Sequence, residues 1–324
     1  MNKYLIINAD DFGMSVPVNL GIVEAHAFGT VSSTSMMVNM PGFQHAVLLA
    51  HRTPSMGIGL HFNLTAGCPL SPVETIPSLA SPANGCFSCV TPLWQAGDIE
   101  RELREQYNKL ISAGIRPTHL DTHHHIHLEV PAVYSAMMKL ARQEHLPIRL
   151  HPYPNGIEEL PLQTDFLIMD TYDSDQGAAR LLAHLHALQE GTTELMCHPR
   201  YLEPEAGSGF VPQDTRGAEL RALTDRQIKD ALHEQDIALI HFGHLPKKLP
   251  LPASPAGASP AQPEELIVSV LPRSHLPLRS TQRKKRKPRA RKPITHKPKR
   301  ITVKRKLRRR SLKAAAPRRR RFRK

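Results

Sequence analysis

Short apolar runs alternate with helix-forming stretches along the first 245 residues, and this alternation constrains the fold of the 324-residue chain more than any other feature. Lys3–Asn8 (KYLIIN) is a continuous apolar run of buried-strand type. Ser15 then opens a helical stretch, with Pro17 in its first turn and Gly29 beyond its end, which is capped-helix punctuation. Ser33–Asn39 and Met56–Leu64 read as strands on either side of a helix at Gly42–His51. Asp98–Ala113 reads as an amphipathic helix with Asp98 as its N-cap, and Pro131–His145 as another helix. Strands at Pro147–His151 and Phe166–Met169, a helix at Gly177–Gln189, a strand at Glu194–Cys197, a helix at Ala218–Gln235 and a strand at Ile237–Phe242 complete the series. Roughly eight strands alternating with about six helices predict a parallel sheet with crossover helices. The expected class is therefore α/β, as a closed or distorted (β/α) barrel, with an open doubly wound sheet as the alternative. Either places ligands at the C-terminal ends of the strands.

Charge divides the chain. Residues 273–324 hold 26 Lys and Arg and no acidic residue, which leaves 17 basic against all 29 acidic residues elsewhere, a net charge of −12. The expected organisation is a folded domain over residues 1–245, a Pro/Ala-rich linker over 246–272 with one apolar run at Glu264–Leu271, and a basic low-complexity tail over 273–324. Such a tail fits non-specific attraction to nucleic acid; with Phe322 as its one aromatic residue, it lacks the stacking platforms of specific single-strand readers. Four cysteines, Cys68, Cys86, Cys89 and Cys197, are too few for a disulfide framework and read as reduced thiols. The N-terminus lacks the pattern of a signal peptide and no run is long enough for a membrane span, so a cytoplasmic protein is expected. The Pro/Ser/Gly-rich stretch Cys68–Gly97 is a long loop of functional or mobile type.

Polar residues fall where strands should end. The first strand runs into Asp10-Asp11, the third carries His61, and the strand at Glu194–Cys197 runs into His198. Thr118–His127 (THLDTHHHIH) holds five histidines, His119, His123, His124, His125 and His127, together with Asp121. If this segment is extended, Asp121, His123, His125 and His127 share one face and Thr122, His124 and Ile126 the other. Several imidazoles buried together need a metal or carboxylates, because protonation would otherwise crowd like charges. Imidazole with carboxylate suits zinc and other first-row divalent ions, and two His with one Asp and open positions is a hydrolytic layout. Arg149 on the following strand reads as a structural salt bridge more readily than as a sugar-binding group.

Ile7–Gly13 (INADDFG), Gly59–Thr65 (GLHFNLT), Thr118–His127 and Glu194–Pro199 (ELMCHP) together resemble the motifs of the YdjC-like carbohydrate deacetylases, a family that includes chitooligosaccharide deacetylases and a hopanoid-biosynthesis branch. The resemblance covers Met1 to Leu245, with Thr122 standing where Ser is frequent. It implies a distorted (β/α) barrel related to polysaccharide deacetylases and metal-dependent removal of N-acetyl groups from an acetylated carbohydrate. It further implies Asp11, His61 and His123 as metal ligands, Asp10 as general base and His198 as general acid; beside these, Asp121, His125 and His127 read as groups that support the ligands or the substrate. The family implies Mg2+, while the imidazoles admit Zn2+ or another first-row ion. A different acylated substrate, such as a glycolipid, stays open, as does a homodimer.

Overall fold

A computed structural model describes residues 2–88, 90–151, 160–202 and 217–245. The expectations for the linker, the basic tail and its nucleic-acid binding, and for Cys89, fall outside these residues.

Seven strands form one all-parallel sheet: β1 (Lys3–Phe12), β2 (Ser33–Met36), β3 (Gly57–Phe62), β4 (Leu120–Thr122), β5 (Phe166–Ile168), β6 (Gly191–Cys197) and β7 (Ile237–Leu239). Its order is β4-β3-β2-β1-β6-β5. The sheet forks at β1. One edge of β1 pairs with β6 from Lys3↔Gly191 to Ala9↔Cys197. On the other edge its first half pairs with β7 and its second half with β2. Ser32 bridges the fork, accepting from the Ile7 amide at 3.2 Å and donating to the Ile240 carbonyl at 2.6 Å, so backbone groups there stay satisfied.

The sheet curls into a half-barrel. Beyond β4 the chain makes one parallel bridge, Leu120↔Ile148, where a full strand at Pro147–His151 was expected. The Ile148 amide donates at 3.0 Å to the carbonyl of Leu162, four residues before β5, so the two sheet edges approach each other. The distorted barrel expected from the alternation is thus observed, with β1 at the middle of the sheet and β2 and β3 buried along their whole length.

Helices α1 (Val16–Ala27), α2 (Phe43–Arg52), α3 (Ala96–Ser112), α4 (Ile126–Glu129), α5 (Pro131–Glu144), α6 (Gly177–Ala187), α7 (Ala218–Thr224) and α8 (Arg226–Glu234) supply the crossovers. Ser15 caps α1, accepting from the Val18 amide. Two local expectations need correcting. Gln95, not Asp98, occupies the N-cap of α3; Asp98 sits in the first turn and accepts from the Ser78 amide and hydroxyl at 3.0 and 2.7 Å. The single helix expected at 218–235 is two, because Asp225 leaves the helical conformation and caps α8 through the Gln227 amide. Asp98 and the buried Glu102, which accepts from the Leu70 and Ser71 amides at 2.9 Å each, anchor the long 68–97 loop onto α3. No described helix is long and apolar enough to cross a membrane.

Candidate metal centre

The C-terminal ends of β1, β3 and β4 bring Asp10, Asp11, His61 and Asp121 to one rim. Register does part of this, since His61 and Asp121 are direct partners across β3 and β4. A bulge does the rest. Adjacent residues of a regular strand face opposite ways, so Asp10 and Asp11 should diverge. The β1–β2 register shifts between Ala9 and Phe12, and Asp11 takes a left-handed φ of 71°. Both carboxylates consequently converge on His61.

Asp11, His61 and His123 offer one ligand atom each, all within 4.8 Å of one another. Asp11 Oδ1 lies 3.3 Å from His61 Nε2 and 2.9 Å from His123 Nδ1. His61 Nδ1 is held 2.8 Å from Asp121 Oδ1. That partner fixes the tautomer with Nδ1 protonated and turns the Nε2 lone pair toward Asp11, the arrangement of a carboxylate–histidine–metal triad. One carboxylate oxygen and two imidazole nitrogens converging on a common point fit a first-row divalent cation. A second group, Asp10, His61 and Asp121, is also close enough to chelate. Arg149 already supplies its positive charge, so the first group is the better cation site.

Arg149 is fully buried. Its guanidinium pairs bidentately with Asp10 at 2.7 and 2.8 Å, reaches Asp121 Oδ2 at 3.0 Å and holds Glu194 Oε1 at 2.7 Å. The salt-bridge reading of this residue is the one observed. Glu194, in the middle of β6, and Ser35, at the end of β2, were not anticipated. The Ser35 hydroxyl donates to Asp121 Oδ2 at 2.7 Å and lies 3.0 Å from His61 Nδ1. Asn8 donates to Asp10 Oδ1 at 2.9 Å. Polar residues within otherwise apolar strands were the available signal for all three.

The electrostatics follow from this packing. Burial raises Asp10, but the charge and hydrogen bonds of Arg149 outweigh it and hold the carboxyl below its ordinary value. Burial raises Asp11 too, and hydrogen bonds with His123 and His61 bring it well below the usual range. Burial lowers His61, yet the Asp121 charge and the hydrogen bonds to Asp11 and Asp121 overcome this and raise it to about 10 in the metal-free protein. Glu194 is pushed up to about 7 by burial, with Arg149 only partly compensating.

The histidine segment departs from the expected strand. β4 stops at Thr122, His123–His125 form a tight turn, and α4 begins at Ile126. His124 and His125 adopt left-handed φ of 55° and 51°, so alternation along an extended strand does not decide where the rings point. His124 is exposed, stacks on His123 with ring centroids 3.9 Å apart, and touches the Thr65 hydroxyl at 3.0 Å. His127 is buried with Nδ1 2.5 Å from the Thr122 hydroxyl, while its Nε2 and His125 Nδ1 find no partner among the described residues. Burial first, then the Arg149 charge, keeps His125 down at about 4, and His198 adds to this, so His125 stands neutral within reach of both. His119 belongs to the core: it stacks on Phe242 at 3.9 Å, and a Cβ on Gly59 would come within 2.4 Å of its ring.

His198 follows β6 and is partly exposed, with its amide donating to Glu219 at 2.5 Å. It borders a cleft of about 330 Å³ with Thr171, Asp173 and Arg200. It is thus on the same rim, one strand over from Asp10, and outside the Asp11–His61–His123 group.

Residues 4–234 match the family model described as YdjC-like protein. A carbohydrate deacetylase of Brevibacillus brevis is 38% identical over 249 residues, covering 74% of this chain and 99% of that protein. A carbohydrate deacetylase of Geobacillus stearothermophilus is 39% identical over 246 residues, covering 75% and 98%. A solved structure from Enterococcus faecalis V583, a protein to which cellobiose-phosphate cleavage has been ascribed, superposes with a TM-score of 0.65 at 30% identity over 75% of this chain and 98% of that one.

Proposed function

The chain belongs to the YdjC-like family, and on that footing we propose that this carbohydrate deacetylase removes N-acetyl groups from a chitooligosaccharide-like sugar with the help of a divalent metal ion. The observation that carries the metal dependence is the convergence of Asp11, His61 and His123 on one point, with His61 already oriented by Asp121.

Amide hydrolysis needs an activated water, stabilisation of the oxyanion, and a proton for the departing nitrogen. A divalent ion held by Asp11, His61 and His123 supplies the Lewis acidity for the first two. The remaining work falls to side chains. Asp10 accepts the water's proton. Its Oδ1 already takes hydrogen bonds from Arg149 Nη2 and Asn8 Nδ2, whereas among the described residues Oδ2 takes only that from Arg149 Nη1. Oδ2 therefore keeps an acceptor position for water. Arg149 keeps Asp10 ionised and fixes its plane, so the base is in the correct protonation state at neutral pH. His198, on the cleft side of the rim, delivers the proton to the leaving amine. His125, held neutral and with a buried unpaired nitrogen, is placed to hydrogen-bond the substrate.

Acetate release from acetylated chitobiose tests the proposal. Release that stops with a chelator and returns with Mg2+ or Zn2+ is expected. Undiminished release in chelator would remove the metal, and no release from any N-acetyl sugar would remove the substrate class.

A further inference from the structure

Cys68 and Cys86 meet at the start of the 68–97 loop, with sulfurs 3.5 Å apart. In sequence the two lie 18 residues apart and read simply as reduced thiols. The backbone enforces the approach. The Phe87 amide donates to the Gly67 carbonyl at 3.2 Å, which joins the residue after Cys86 to the residue before Cys68. The Ser81 amide donates to the Cys86 carbonyl at 2.9 Å, and Ala80 bridges Phe87 in antiparallel fashion. Cys68 is exposed and Cys86 half-buried, so both are open to small reagents, unlike the buried Cys197.

From this geometry we infer that Cys68 and Cys86 are a thiol pair that closes into a reversible disulfide on exchange with a low-molecular-weight disulfide. The thiolate of one cysteine attacks a sulfur of the small disulfide, forming a mixed disulfide and expelling one small thiolate. The second cysteine, as thiolate, attacks the protein sulfur of that mixed disulfide and expels the other. Two protein thiols are oxidised, one small disulfide is reduced to two thiols, and the two protons lost by the cysteines end on the two small thiolates. Closing the sulfurs from 3.5 Å to a bond of about 2.05 Å needs a small side-chain rotation, because the backbones already approach. The bridge would secure the loop beside the candidate site: Asn39 donates to the Cys68 carbonyl at 3.0 Å, and Thr65, three residues earlier, touches the His124 that stacks on His123.

The test uses the full chain treated with oxidised glutathione, then alkylated and digested. No Lys or Arg lies between Arg52 and Arg101, so trypsin leaves both cysteines in one peptide, whereas cleavage after Glu74 separates them. The expected result is loss of two of the four thiols and two Glu74-cleaved fragments that stay joined until reduced. Cys89→Ser should keep the joined species; Cys68→Ser and Cys86→Ser should each lose it. Fragments that separate without reduction in the wild type, or a joined species that survives Cys86→Ser and is lost in Cys89→Ser, would overturn the inference.

Discussion

Replacing Arg149 with Met tests how the site is held together. Arg149 is wholly buried and its guanidinium lies within 3.0 Å of three buried carboxylates, Asp10, Asp121 and Glu194. Met fills much of the stem volume, so the change is chiefly one of charge. Removing one partner of a buried ion pair costs about 3–5 kcal/mol because the other charge is left uncompensated. At roughly 2–4 °C per kcal/mol for a domain of this size, Tm should fall by about 6–20 °C. The loss should depend on pH. In the wild type Asp10 and Asp121 have depressed values, so their contribution is present above the ordinary carboxylate range and fades only as pH falls through the lowered values. Without Arg149 the main opposition to burial is lost at Asp10 and the His61 contribution remains at Asp121, so the carboxyls rise and the penalty grows as pH climbs through the raised values. Urea unfolding of both proteins at pH 5 and pH 8 should show a gap that is largest at pH 8 and shrinks at pH 5. A gap under about 1 kcal/mol at pH 8, or one equal at both pH values, would refute the view that Arg149 acts as the common counter-charge.

Asp11→Ala, His61→Ala and His123→Ala should each abolish binding of a divalent ion measured by equilibrium dialysis, while His124→Ala, whose ring lies on the outer side of His123, should retain it; full binding by His123→Ala would exclude that ligand. His61 must release a proton from a group raised to about 10 before its Nε2 can ligate, so metal affinity should rise by about tenfold per pH unit from neutrality toward that value, and a flat profile would show that no such proton is displaced. Asp10→Asn should bind metal yet lose about 100-fold or more in acetate release, and near-wild-type turnover would remove it as the base. A chain ending at Leu245 should fold and retain activity, because Leu245 packs against Ile6 and Phe242 and the relatives are matched almost end to end without the remainder; an unfolded circular dichroism spectrum would move that boundary.

The parts of this molecule that were legible in its sequence are those that regular geometry governs. Apolar runs separated by capped helices specify a parallel sheet, and a parallel sheet delivers strand ends to one rim, so Asp10, Asp11, His61 and Asp121 could be assigned to one place from their positions alone. What the sequence did not reveal depends on departures from regularity. Alternation would send Asp10 and Asp11 to opposite faces; a bulge with Asp11 at φ 71° reunites them. Alternation would also have set His123, His125 and His127 in a row; left-handed residues at His124 and His125 break the strand, and neither position carries the Gly or Asn that would have announced it. Glu194 and the partners of Arg149 were opaque for a different reason. A charged residue in an apolar run looks like an error until its partner is known, and the partners lie 45 and 139 residues away in sequence. The buried charges therefore explain each other only in three dimensions: Arg149 is tolerable because three carboxylates surround it, Asp10 stays ionised because Arg149 is there, and Asp121 is free to orient His61 because its second oxygen is occupied by Arg149 and Ser35. Each link holds only because the desolvation of one charge is offset by opposite charge and hydrogen bonds from the next, as around Arg149.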